Sequence, residues 1–221
     1  MKQASWKFVE KYYEDDLKER NFPETKFYLS WLGYIKGKRI LNLGCGPNLY
    51  DDVLFFNNFP EEIIGIDINK NNIKFLRESK HKELIKSKNI LKNKRVKVKL
   101  MVGDITKFNK EFIGKFDCVY AMGVIGMFEK TKLKKLLKII YSYLKKGGLF
   151  LDIDWADSQL SPEKYNERLN YGWYSKKGPT IKKIGKLIEG SSFKILKHKV
   201  YYVKNRKDYG WGKIYGYLAL K

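Results

Sequence analysis

The residues most suggestive of chemistry lie in the stretch 42–52, "NLGCGPNLYDD", between a strand-like run and a helix-like run. Gly44 and Gly46 have no Cβ, so the backbone of this turn can approach a ligand closely. The helix that follows offers free N–H groups at its start, which suit polar or anionic ligand groups. These residue types and their spacing predict a small-molecule site at the turn.

Three kinds of nucleotide-binding loop occur at such a turn. The Walker A loop needs GxxxxGK followed by Ser or Thr, and this sequence is absent. The dinucleotide fingerprint G-x-G-x-x-G has Leu49 at its third glycine position. The remaining alternative is a looser GxG loop, which has to be identified from residues further along the chain.

Acidic residues end the next two predicted strands. Asp67 ends "IIGID", where an acid binds ribose hydroxyls in several nucleotide-binding folds, and Asp104 ends "VKVKLMVGD". The segment "FDCVYAM" places Ala121 and Met122 at the end of a fourth strand. Because ligands bind at the carboxyl ends of the strands in open α/β sheets, we expect these residues to converge.

The elements that must position these residues alternate between strand and helix from residue 39 onward. Continuous apolar strands between helices predict a parallel sheet that is covered on both faces. The last two strands are joined by "NRKDYG" and should pair antiparallel. The predicted helices are 5–20, 26–34, 49–58, 71–86 and 131–145, with a loop and helix over 161–189, and the predicted strands are 39–43, 62–68, 96–104, 116–122, 149–154, 193–204 and 213–220. The basic stretch 80–99 would suit a phosphate-binding surface, but the preferred interpretation is the solvated end of a helix and its loop.

Together, the motifs between residues 39 and 154 resemble the class I S-adenosylmethionine-dependent methyltransferase family. The resemblance implies an α/β fold: a Rossmann-like, mostly parallel seven-stranded sheet with helices on both faces and a C-terminal antiparallel hairpin. It implies one domain, 1–221, made of a helical cap (1–36), a cofactor-binding core (37–155) and a substrate-side insertion with the terminal hairpin (156–221).

S-adenosylmethionine is the cofactor that this resemblance implies. The glycine turn would line its methionine end, Asp67 its ribose, and Asp104 with Ile105 its adenine. Two residues depart from the family pattern: Asn42 stands where an acid is usual, and Asn48 where a third glycine is usual. We expect binding to survive these departures in weakened form. The full set of expected cofactor-binding residues is Tyr12, Asn42, Gly44, Cys45, Gly46, Asp67, Ile68, Asp104, Ile105, Ala121 and Met122.

A finer resemblance concerns the nicotinamide, indolethylamine and phenylethanolamine N-methyltransferases. "GCGPNLY" followed by "EEIIGIDINKNN" is similar to their loop and second strand, and Tyr50 matches the tyrosine of that loop. In that group an acid at the end of the fifth strand orients the substrate, and N-terminal tyrosines close over the cofactor. This resemblance implies catalytic roles for Asp154 and Tyr13, and a closing role for Tyr12.

The identity of the methyl acceptor depends on weaker sequence signals than the cofactor does. We expect a small molecule, with methylation at nitrogen favoured over oxygen. Alternatives are a tRNA or rRNA methyltransferase, for which no "NPPY"-like segment follows the fourth strand, and a catalytically inactive cofactor-binding module. Candidates for a substrate wall are Trp155, Trp173, Tyr174 and Trp211.

The composition restricts partners and location. The chain has 46 basic and 24 acidic residues, a net charge of +22 that would suit nucleic acid. Nearly all the basic residues are lysine, however, whereas bidentate phosphate recognition favours arginine, so compositional bias is the preferred explanation. No apolar run is long enough to span a membrane, and no signal peptide is evident. Two cysteines without metal-ligand spacing indicate a cytoplasmic, metal-free protein. The oligomeric state is not readable from the sequence.

Overall fold

The computed structural model describes residues 3–156, 180–206 and 210–221. Its strands are β1 (Arg39–Leu43), β2 (Glu62–Asp67), β3 (Lys97–Val102), β4 (Phe116–Met122), β5 (Leu144–Ala156), β6 (Lys194–Arg206) and β7 (Gly210–Leu220). They form one seven-stranded sheet in the order β3-β2-β1-β4-β5-β7-β6. Neighbouring strands from β3 to β5 are parallel, and β7 is antiparallel to both β5 and β6. The predicted sheet and its C-terminal antiparallel hairpin are confirmed.

Helices cover both faces of the sheet, as predicted. The α-helices of the described residues are α1 (Trp6–Glu19), α2 (Pro23–Ser30), α3 (Leu49–Asp52), α4 (Lys70–Glu78), α5 (Lys82–Asn93), α6 (Lys130–Tyr143) and α7 (Ile181–Glu189). Buried side chains of α1 to α5 form one core with one face of the sheet. Buried side chains of α6 and α7 form a second core with the other face.

The predicted helix 71–86 is wrong, because two helices occupy this part of the chain. Ser79 is extended, with φ −62° and ψ 136°, and its Oγ accepts a hydrogen bond of 3.2 Å from the His81 backbone N–H. This local bond competes with the helical pattern. A second helix, α5, then continues to Asn93 and buries Leu84 and Leu91. Much of the basic stretch 80–99 is therefore a half-buried helix rather than a helix end and loop.

The helix predicted over 49–58 is also shorter than expected. The α-helical part ends at Asp52, and Val53–Phe55 form a single 3-10 turn. Phe56 is extended, and its ring lies in the core, where it meets the ring of Tyr120 edge-on at 5.7 Å. Of the loop and helix predicted over 161–189, α7 lies within the described residues. Trp173 and Tyr174, and the side chains of Trp155 and Trp211, lie outside them.

The strand order brings the predicted site together at one edge of the sheet. β1 lies between β2 and β4, with Asn42 opposite Gly65 on one side and opposite Tyr120 on the other. The carboxyl ends of these three parallel strands therefore meet where the glycine turn begins. In the part of the chain that the structure describes, no helix has the length and apolar character needed to cross a bilayer.

Candidate active site

The glycine turn after β1 depends on both of its glycines, for different reasons. Gly44 and Gly46 have φ values of +69° and +54°, in the left-handed region that favours glycine. A Cβ on Gly44 would lie 2.5 Å from Cγ2 of Val124, so this position is also closed by packing. A Cβ on Gly46 would meet nothing within 4 Å. Gly46 therefore leaves open space above its backbone, as a ligand cradle requires.

Asp67 at the end of β2 holds the turn in place. Its Oδ2 accepts a hydrogen bond of 2.8 Å from the Gly46 N–H, and its Oδ1 accepts one of 2.7 Å from the Asn69 N–H. Burial raises the pKa of this carboxyl, and the hydrogen bonds from Asn69, Gly46 and Asn72 oppose the rise. The two oxygens of a carboxylate offer about four lone-pair sites. With the N–H groups of Gly46 and Asn69 and the side chain of Asn72 as donors, Asp67 can accept about one further hydrogen bond, as a ribose hydroxyl would donate.

The glycine missing from the loop is supplied by the neighbouring strand. Leu49, which stands at the third glycine position of the dinucleotide fingerprint, packs against Gly65 of β2. A Cβ on Gly65 would lie 2.6 Å from Cδ2 of Leu49 and 3.0 Å from Sγ of Cys45. The close approach of helix and strand is thus achieved with the glycine on the strand. Burial and the nearby Asp67 raise the pKa of the Cys45 thiol, which indicates a neutral, space-filling side chain.

Asp104 begins a tight turn after β3, in which its carbonyl accepts a hydrogen bond from the Lys107 N–H. Its Oδ1 accepts hydrogen bonds from the Thr106 N–H at 2.9 Å and from Thr106 Oγ1 at 2.7 Å. Burial opposes ionisation of this carboxyl, but the Thr106 hydrogen bonds together with Lys107 and Lys132 lower its pKa. The adjacent Ile105 is half-buried. Asp104 and Ile105 are the contribution of β3 to the site, after those of β1 and β2.

The N-terminal segment lies across the end of β2. Gln3 Nε2 donates to the Ile68 carbonyl at 3.0 Å, and Gln3 Oε1 accepts from the Lys70 N–H at 2.9 Å. Asn71 Nδ2 donates to the Ala4 carbonyl at 2.6 Å. The Ile68 side chain itself is 40% exposed. These contacts anchor the start of α1 beside Asp67.

The two tyrosines of α1 have different surroundings. Tyr13 is fully buried, with its ring 5.2 Å from that of Phe75 and 5.1 Å from that of His81. Burial and Asp51 raise the pKa of its hydroxyl. Tyr12 is 37% exposed. The predicted catalytic role of Tyr13 has no support here, because its side chain is packed into the core between α3, α4 and the start of α5.

The ends of β4 and β5 contribute small residues and two carboxyls. Ala121 is buried, and Met122 is half-buried. Asp154 is 5% exposed, and its Oδ2 accepts a hydrogen bond of 2.6 Å from the Gly126 N–H. Asp152 lies on the same face of β5 and is completely buried; burial and Asp154 raise its pKa. Two neighbouring carboxyls therefore lie on one face of β5, and Asp154 is the one nearer its carboxyl end.

Tyr28 of α2 is a site residue that the sequence did not indicate. A Cβ on Gly123 would lie 3.3 Å from its hydroxyl, which places that hydroxyl at the end of β4. Burial, followed by the charges of Asp154, Tyr12 and Asp52, raises its pKa. No spacing along the chain relates α2 to β4 and β5, so only the packing of α2 over the sheet shows this contact.

The residues at this edge fit an adenosyl cofactor with an amino-acid end. Gly46 leaves an open cradle, and Asp67 retains a lone pair for a ribose hydroxyl. The Oδ1 of Asn42, a residue that is 1% exposed, has no hydrogen-bond partner among the described residues. A buried polar atom without a partner is unusual and indicates a missing ligand or water.

Comparisons with known proteins agree with this geometry. A family model described as a methyltransferase domain matches residues 35–210. No curated protein matches the chain. Among solved structures, an S-adenosylmethionine dependent methyltransferase from Mesorhizobium loti is 13% identical, with a TM-score of 0.60; the match covers 90% of this chain and 97% of that one.

Two other solved structures show how widely the fold is used. Phosphoethanolamine N-methyltransferase 2 of Haemonchus contortus, in complex with S-adenosyl-L-methionine, is 17% identical with a TM-score of 0.57; the match covers 90% of this chain and 52% of that one, so this chain spans about half its length. The cyclase SpnF is 13% identical with a TM-score of 0.60, covering 89% of this chain and 80% of that one. At such identities the likeness establishes the fold. Because the family model matches most of this chain, the chain belongs to the methyltransferase domain family and is an S-adenosylmethionine-dependent methyltransferase.

Proposed function

We propose that the chain methylates a small molecule, at nitrogen in preference to oxygen. In this proposal the turn from Gly44 to Gly46 binds the methionine end of the cofactor, and Ala121 and Met122 lie beneath it. Asp67 and Ile68 bind the ribose, and Asp104 with Ile105 binds the adenine. Tyr12 and Tyr28 close the site from the helical cap.

The bound cofactor supplies a methyl group that is already activated by its sulfonium. The protein then has to align a nucleophile with the methyl carbon and exclude water, and positioning supplies most of the rate. An amine that arrives protonated must also lose a proton. In this proposal the carboxyl of Asp154 binds such an amine and accepts that proton.

The single observation that carries the choice of nitrogen is the carboxyl pair Asp152 and Asp154 on one face of β5. Two buried carboxyls repel each other when both are ionised, and a cationic group between them relieves that repulsion. An amine offers such a group, whereas a phenol or alcohol does not. The Haemonchus enzyme is an N-methyltransferase of the same fold, but its likeness concerns the fold alone.

Methyl transfer to a panel of primary and secondary amines, and of phenols, tests the proposal. S-adenosylhomocysteine formation that depends on an amine is expected, and Asp154→Asn should lower kcat/KM about 100-fold while the cofactor Kd stays within about twofold. The asparagine keeps an acceptor for the Gly126 N–H, so folding should be preserved. Glu61→Gln is the control, because Glu61 pairs with Lys38 at the opposite edge of the sheet. Turnover with phenols and not with amines would contradict the proposal.

A second candidate, an RNA substrate, is favoured by one surface. A groove of about 500 Å³ between α7 and the β6–β7 hairpin is lined by Lys182, Lys186 and Tyr202, among others. Lysines beside an exposed aromatic ring suit a nucleic-acid strand. Two results together would favour this candidate over a small amine: tRNA binding that weakens steeply as salt rises, and methyl transfer to the bound tRNA.

A further inference from the structure

The missing acid at the end of β1 leaves a buried polar cluster short of hydrogen-bond partners. Asn42 on β1 lies directly opposite Tyr120 on β4, and the two residues are 1% and 0% exposed. The Asn42 side chain lies beside the Tyr120 hydroxyl, but the Asn42 Oδ1 has no hydrogen-bond partner among the described residues. Buried polar groups in native proteins are normally satisfied, so this point at the base of the glycine turn is suited to a polar ligand group.

Asp52 of α3 brings a carboxyl to the same place. It is 8% exposed, and its charge acts on the hydroxyls of Tyr120 and Tyr28 and on the Cys45 thiol of the turn. In the described part of the chain, no side chain or N–H donates a hydrogen bond to Asp52, and its nearest cation, Arg20, forms its ion pair with Asp51 instead. A carboxyl that is nine-tenths buried without a partner is costly unless a ligand supplies one.

The adjacent carboxyl shows that this lack of a partner is particular to Asp52. Asp51 is 1% exposed, but Ser87 Oγ donates to its Oδ1, and Arg20 Nη2 lies 3.1 Å from its Oδ2. Arg20 is therefore already engaged. Burial, then Asp16 and Asp51, raises the pKa of Asp52, with only Arg20 opposing them. Among the described residues, Asp52 therefore has no ion-pair partner of its own.

We infer that the Asp52 carboxylate binds the ammonium group at the methionine end of S-adenosylmethionine, and so replaces the acid that Asn42 displaces. The negative charge has moved from the strand to the first helical turn after the glycine loop, while Asn42 Oδ1 and the Tyr120 hydroxyl remain as neutral partners for the same group. This inference rests on the proposed cofactor placement. It adds a residue that the loop pattern does not contain.

Calorimetric titration with two ligands tests the inference. S-adenosylhomocysteine carries the ammonium group, and 5′-methylthioadenosine lacks the whole amino-acid part. Asp52→Asn should weaken binding of the first about 10- to 100-fold, as expected for a charged hydrogen bond, and change binding of the second less than about twofold. Asn42→Asp added to Asp52→Asn should restore much of the lost affinity, because it returns a carboxylate to the strand.

Asp51→Asn is the matched control, since it removes the neighbouring carboxylate that is already paired. It should lower the melting temperature and leave the ratio of the two affinities unchanged. If Asp52→Asn lowers the yield of folded protein, Asp52→Ser provides the same comparison with a smaller neutral side chain. Equal loss for both ligands, or no loss for either, would overturn the role of Asp52 and leave the cofactor placement intact. If the wild type binds neither ligand, both the role of Asp52 and the proposed cofactor placement are overturned.

Discussion

Asp67→Asn is the substitution that most directly tests how the site is built. The carboxylate accepts one backbone N–H on each oxygen, from Gly46 at 2.8 Å and from Asn69 at 2.7 Å. An asparagine keeps one acceptor oxygen but places an NH₂ group against the other N–H. The substitution therefore removes the charge and leaves two donors facing each other at the glycine turn.

The expected magnitudes follow from these contacts. An unsatisfied buried donor costs about 1–3 kcal/mol, which for a chain of this size corresponds to a melting temperature lower by about 2–12 °C. A ribose hydroxyl would lose a charged acceptor worth about 1.5–3 kcal/mol, so S-adenosylhomocysteine should bind about 10- to 100-fold more weakly. The substitution should therefore lower both cofactor affinity and stability.

Calorimetric titration and thermal unfolding of the same preparations measure the two effects. Asp117→Asn is the control, because Asp117 also accepts two backbone N–H groups, from Lys38 at 2.9 Å and Arg39 at 2.8 Å, but at the amino end of β4. It should lower the melting temperature and leave cofactor affinity within about twofold. The reasoning is refuted if Asp67→Asn binds the ligand like the wild type, or if Asp117→Asn weakens binding equally.

The remaining predictions concern the glycine turn and one buried carboxyl. Gly46→Ala should weaken cofactor binding more than it lowers the melting temperature, because its Cβ would enter open space, whereas Gly44→Ala should mainly destabilise, because its Cβ would lie 2.5 Å from Val124. Similar melting temperatures for the two variants would contradict this difference. Burial, with Asp51 and other acids adding to it against Arg20, raises the pKa of Asp16 from 3.8 to about 6. The folded state then holds this proton more tightly, so stability should fall as the pH rises from about 4 to about 6, and Asp16→Asn should remove that decrease in urea denaturation.

The sheet was predictable because it depends on local pattern. Apolar strands alternating with helices require a parallel sheet covered on both faces, and strand-end residues such as Asp67 and Asp104 then share one edge. The break at Ser79 was not predictable in this way. The sequence continues with helix-forming residues, and a single side-chain hydrogen bond to the His81 N–H ends the helix.

The residues of the candidate site also fall into two groups, those predictable from local pattern and those shown only by packing. Local pattern was enough to predict the glycine turn, the acids that end β2 and β3, and the acid on β5, because each is defined by its place on its own strand. Only the packing of the elements shows that Gly65 makes room for Leu49, that Tyr13 is buried while Tyr28 reaches the end of β4, and that Asp52 lies near Tyr120 without a hydrogen bond among the described residues. These relations join residues on different elements, and their separation in the chain carries no information about how closely the elements pack.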